Sequence, residues 1–70
     1  MKNENVGQRF IRLNEVLKRV GLSRTTLYEC IKEGRFPKQV RISMRSIAFV
    51  ESEIDEWIDK TINDSRKTSN

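Results

Sequence analysis

Gly21-Leu22-Ser23 separates two short apolar-periodic segments, and this three-residue break constrains the chain more than any other feature. Upstream of it, Val16, Leu17 and Val20 fall on one helical face. Gly21 follows the last of them, where a left-handed residue closes a helix. Downstream, the Ser23 hydroxyl suits the cap of a second helix over roughly 24–33. In that helix Leu27 and Ile31 face inward, with Cys30 beside them as a small buried residue. At about 100° per residue, Thr25, Tyr28, Glu29 and Lys32 point the other way. Gly34 ends the segment, and Pro37 drives Phe36 into an extended conformation. The spacing therefore predicts a helix-turn-helix.

The rest of the chain fits around that unit. Arg9 to Leu13 is an apolar-basic entry suited to an extended path, and Asn14 is placed to cap the first helix. Val40-Arg41-Ile42 and Ile47-Ala48-Phe49 read as the arms of a β-hairpin around Ser43-Met44-Arg45-Ser46. No Asn-Gly or Asp-Gly sets its turn type. A last helix runs from about Glu51 to Asn63, with Ile54, Trp57, Ile58 and Ile62 as its apolar stripe. The expected fold is mainly α: a small winged helix-turn-helix with a two-stranded hairpin wing and a C-terminal helix. It spans 9–63, between a disordered polar arm (1–8) and a polar tail (64–70). The expected core is Val16, Leu17, Val20, Leu22, Leu27, Ile31, Phe36, Val40, Ile42, Phe49, Ile54, Trp57 and Ile58.

Composition narrows the function classes. Seventy residues make one domain with a marginal core. The single cysteine forms no internal disulfide and suits a reducing compartment. The polar start and the lack of a long apolar run imply no signal segment and no membrane span, so a cytoplasmic location is expected. Without histidine the commonest general base is missing, and no Cys/His cluster offers a zinc site. Gly7, Gly21 and Gly34 are too dispersed for a phosphate loop. No enzyme, cofactor, metal or small-molecule substrate is expected. Charge is uneven: Met1 to Val50 holds 11 Lys/Arg against 4 Asp/Glu, or +7, and Glu51 to Asn70 holds 3 against 6, or −3. One face thus suits a polyanion and another does not.

Four stretches carry a family resemblance. They are Arg9-Phe-Ile-Arg-Leu-Asn-Glu-Val-Leu, Val20-Gly-Leu-Ser-Arg-Thr-Thr-Leu-Tyr, Ile31-Lys-Glu-Gly-Arg-Phe-Pro-Lys and Glu51-Ser-Glu-Ile-Asp-Glu-Trp-Ile. Together they resemble the AlpA family of prophage-type regulators, related to excisionases and to the winged domains of MerR proteins. The likeness covers about Arg9 to Ile62. The family's wing usually contains glycine and is followed by Trp or a similar aromatic residue; here the wing lacks glycine and the aromatic is Phe49. The departure concerns the wing's turn and leaves the helix-turn-helix intact. The resemblance implies a small transcription activator or repressor and, in close relatives, a factor directing integrase towards excision.

In such a fold, helix 24–33 enters the major groove of double-stranded DNA and the wing 43–46 reaches the adjacent backbone or minor groove. Arg24 at the helix start is a candidate for backbone or groove contact. Thr25 and Tyr28 present hydroxyls to bases or phosphates, though Tyr28 can instead pack under the wing. Thr26 points sideways, and Lys32 suits a phosphate better than a base. Arg45 at the wing tip suits a narrow minor groove. Lys38 and Arg41 are further phosphate candidates. Integrase and neighbouring copies on DNA are candidate protein partners. A different reading makes the domain a protein-interaction module acting through Glu53, Asp55, Glu56 and Asp59 of the last helix.

Overall fold

The computed structural model of the chain describes residues 8–68. Of the expected arm, residues 1–7 lie outside the described residues. The elements are β1 (Phe10–Ile11), α1 (Leu13–Val20), α2 (Arg24–Lys32), β2 (Val40–Ser43), β3 (Ser46–Val50) and α3 (Glu51–Thr68). The expected order of helix, turn, helix, hairpin, helix is present, as a small winged-helix domain with one strand more than anticipated. That strand, β1, pairs antiparallel with β3, in the sheet order β1-β3-β2. Phe10 lies opposite Val50 and Ile11 opposite Phe49. The Glu51 N–H donates to the Arg9 carbonyl at 2.7 Å and extends the pairing to the first residue of α3.

This pairing moves the start of α1. The chain is held extended through Arg12 (φ −89°, ψ 165°), whose carbonyl accepts from the Val16 N–H at 3.0 Å. The helix begins at Leu13, so Asn14 sits inside its first turn and does not cap it. No side chain caps this end. At the other end Gly21 adopts φ 72° and donates its N–H to Leu17 at 2.9 Å, as its position implied.

The core is small and contiguous. Val16, Leu27, Phe49 and Ile54 are fully buried, with Ile11, Cys30 and Phe36 around them. Each full burial contributes roughly 1.5–3 kcal/mol. Leu13, Leu17, Val20, Leu22, Ile31, Trp57 and Ile58 pack against this cluster while partly exposed. Val40 is half-buried outside it. Ile42 contradicts the expectation and is 39% exposed. The cause is a register shift between Arg41 and Ser43: Arg41 pairs with Ile47, but Ser43 pairs with Ser46. The extra residue breaks the two-residue alternation, so Ile42 no longer shares the face of Val40.

Trp57 ties α3 to the rest. Its ring lies 4.8 Å from that of Phe36, which meets Phe49 edge-on at 6.1 Å. Each such pair contributes about 0.5–1.5 kcal/mol beyond its burial. The indole N–H donates to the Arg35 carbonyl at 2.7 Å. The ring is half-buried rather than enclosed. α3 also outruns the expected end near Asn63. It continues to Thr68 with Arg66 and Lys67 in its last turn, where cations favour the helix dipole. Ile62, expected on the packed stripe, is 41% exposed near the expected end of the helix.

Trp57→Phe keeps a ring over Phe36 but leaves the Arg35 carbonyl without its donor, and should cost about 1 kcal/mol in denaturant unfolding. Trp57→Ala should cost about 3 kcal/mol, the low end for a large aromatic because the ring is half-exposed. Equal unfolding midpoints for both variants and the parent would show that this contact does not hold α3.

Candidate nucleic-acid interface

α2 is anchored at both ends by local chemistry. Ser23 is extended (φ −77°, ψ 163°), and its Oγ accepts from the Thr26 N–H at 3.2 Å. The Ser23 hydroxyl also donates to Thr26 Oγ1 at 3.0 Å. The expected cap is therefore present, and it engages Thr26, one of the candidate contact residues. At the far end Gly34 (φ 78°) donates to Ile31 at 3.0 Å, and Arg35 donates to Cys30 at 2.8 Å. These two bonds form a Schellman closure, and Gly34 is its left-handed residue.

Leu27 and Cys30 are buried, and Ile31 is half-buried beside them. Arg24, Thr25, Glu29 and Lys32 are exposed, and Tyr28 is half-buried at the edge of that surface. Thr25 and Lys32 share one exposed strip, about 20° apart around the axis. Tyr28 and Glu29 flank it. Arg24 occupies the first helical position, and that turn contains no acid. A cation there opposes the helix dipole, at a cost of about 0.3–1 kcal/mol. The same end attracts anions. Arg24 is thus an unfavourable residue for the isolated domain and a favourable one beside a phosphate.

The wing turns through Met44 and Arg45, between the paired Ser43 and Ser46. Among the described residues only glycines have positive φ, so this turn is not a left-handed hairpin turn. Arg41 Nη1 donates to the Met44 carbonyl at 3.1 Å and braces the tip. That role was not apparent from sequence spacing. It leaves most of the five guanidinium donors of Arg41 available. Arg45 and Lys38 are exposed.

The charge pattern needs one refinement. Arg19 of α1 reaches Glu51 at 2.9 Å, Glu15 at 3.2 Å and Asp55 at 3.7 Å. Hydrogen bonds donated to Glu15 and then to Glu51 hold its guanidinium pKa above the ordinary value. Arg9 lies 3.6 Å from Glu51, and Arg35 pairs with Glu33, its Nε donating at 2.9 Å. These three arginines are structural, a role the charge count alone does not reveal. Arg24, Lys32, Lys38 and Arg45 have no ion-pair partner among the described residues. The acids of α3 are also divided. Glu51 and Asp55 turn to Arg19, while Glu53 and Glu56 line an open groove of about 500 Å³ with Lys38, Lys60 and Trp57. No set of three or more potential metal ligands occurs among the described residues. None of the described helices is long and apolar enough to cross a membrane.

The capped helix pair, sheet and wing define a small winged-helix domain with an exposed basic edge. Residues 9–62 match the model of the family described as Prophage CP4-57 regulatory protein (AlpA), and the chain belongs to that family. The family is one of regulators rather than enzymes. The chain is 31% identical over 62 residues to the DNA-binding transcriptional activator AlpA of Escherichia coli (strain K12), covering 80% of this chain and 89% of that protein. It is 43% identical over 51 residues to the uncharacterized protein ORF88 of Enterobacteria phage P4, covering 73% of this chain. It spans only 58% of that phage protein's length. No solved structure matches the chain.

Removing the cap tests the anchoring of α2. Ser23→Ala should cost about 1 kcal/mol in unfolding experiments. Thr26→Val keeps the Ser23 acceptor and should cost less than half as much. The reverse order would show that the Thr26 hydroxyl, not the Ser23 acceptor, holds this end.

Proposed function

We propose that the chain binds double-stranded DNA with sequence preference and acts as a prophage-type transcription regulator. The observation that carries this reading is the outer edge of α2. It presents Arg24, Thr25 and Lys32 to solvent while the opposite face is committed to the core. The likeness to the E. coli activator supports the same conclusion. In this reading α2 lies in the major groove. Thr25 and Tyr28 contact base edges, and Arg24 meets a phosphate near the helix start. Lys32, Lys38 and Arg41 hold the backbone, and Arg45 enters the adjacent minor groove. Thr26 contributes through the cap, with its hydroxyl hydrogen left for a groove contact. One helix reads few base pairs, so neighbouring copies on half-sites about 10–10.5 base pairs apart complete the site. Mapping occupied sites across the host genome is the deciding experiment. Occupied promoters support regulation; occupancy confined to an attachment site would replace it with excision control through the same surface.

Two measurements check the interface. If Arg24, Lys32, Lys38 and Arg41 each neutralise a phosphate and Arg45 displaces a further counterion from the minor groove, log affinity should fall against log salt with a slope of about −4 to −5. A slope near zero on duplex DNA would refute phosphate binding. Thr25→Ala or Tyr28→Ala should cost roughly 1–3 kcal/mol on the preferred site and much less on random DNA, while Lys32→Ala weakens both alike. Equal losses on both DNAs for all three variants would show that this edge holds DNA without reading it.

A further inference from the structure

Four large apolar side chains stand exposed among the described residues: Phe10, Ile42, Met44 and Ile62. Met44 is the extreme, at 86%. A scattered surface apolar residue needs no explanation, but Met44 differs from that case in three ways. It occupies the outermost turn of the hairpin, between the paired Ser43 and Ser46. Its backbone is braced, because Arg41 donates to its carbonyl. It is also flanked by cations, with Arg45 next in sequence and the Arg41 guanidinium at its main chain. Ile42, displaced outward by the register shift, adds a second apolar side chain to the same wing.

An exposed apolar side chain at a hairpin tip, with an arginine next to it in sequence and another bonded to its main chain, is poorly matched to water and well matched to a duplex minor groove. Arg41 meets a phosphate on the groove wall, Arg45 enters the groove beside it, and the apolar group meets the stacked bases at its floor. Methionine suits a narrow gap because it is unbranched, flexible and polarizable.

We infer that Met44 is a wedge that enters between two base pairs from the minor groove and kinks the duplex towards the major groove, where α2 lies. The inference rests on the DNA-binding reading above. The kink folds the DNA around the domain and brings more backbone within reach of Lys38 and Arg41. It also creates sequence preference without a base hydrogen bond. Unstacking is easiest at pyrimidine–purine steps, so a TA or CA/TG step belongs under the wing.

Duplexes that the full chain selects from a random-sequence pool serve as the probe. They carry end labels for energy transfer and 2-aminopurine placed in turn along the flank. Binding of the parent protein and of Met44→Leu should draw the ends together and brighten 2-aminopurine at one step. Met44→Ala, whose melting temperature should be unchanged because the side chain is exposed, should do neither. It should also lose about tenfold of the preference for a pyrimidine–purine step over an A-tract at that position. Tight binding to a straight, stacked duplex overturns the wedge and leaves DNA binding standing. So does a Met44→Ala variant that loses affinity with the bend and fluorescence intact, since Met44 then packs on sugars. A pool from which no duplex is retained overturns both readings.

Discussion

The indole of Trp57 sits where three parts of the chain converge. Its ring packs on Phe36, and its N–H bonds the carbonyl of Arg35, next to the glycine that closes α2. Phe36 in turn meets Phe49 on β3. One side chain of α3 therefore sets the far end of α2, the path into the wing and the back of the sheet. Among the described residues the largest fully buried side chains are Phe49, Leu27, Ile54 and Val16, so in a core this small the Trp57 contacts add materially to the register of these parts. A half-exposed tryptophan can serve this way because its polar edge has a fixed acceptor and its apolar face has aromatic partners.

Electrostatics divides the arginines into two groups. Arg9 and Arg19 converge on Glu51, at the junction of β3 and α3, and bind the first strand and first helix to the last. Exposed pairs of this kind contribute little individually, but here two guanidinium groups share one carboxylate. The basic side chains of α2 and the wing make no such pairs among the described residues. The domain is held by one set of cations and presents another.

The helix-turn-helix was legible because its signals are local. Gly21, Ser23 and Gly34 each act through the backbone within a turn of their own position, and all three behave as their chemistry implies. What was not legible depended on distant pairing. A two-residue strand carries no periodicity, so β1 could be read only as an extended entry; its pairing with β3 then shifted the start of α1 away from Asn14. The outward turn of Ile42 follows from a register shift that no residue type announces. Ile11 and Ala48 are buried for the same reason: their partners lie across the sheet. Among the candidate contact residues, exposure along α2 followed from helical geometry, while the engagement of Thr26 in the cap and of Arg41 in the wing turn depended on atomic contacts.

The pairing of β1 with β3 also governs how the domain can form. Ile11 and Phe49 bracket both helices of the helix-turn-helix within a loop of about 38 residues. Closing such a loop costs roughly 3 kcal/mol of chain entropy before any contact repays it. α1 and α2, of eight and nine residues, are too short to persist alone in water. The exposed face of α2 therefore takes its shape once the two ends of the domain have met. Two-state unfolding is the expectation for so small a domain, and a peptide spanning only the two helices should be largely unstructured, with the exposed side chains of α2 in no fixed geometry.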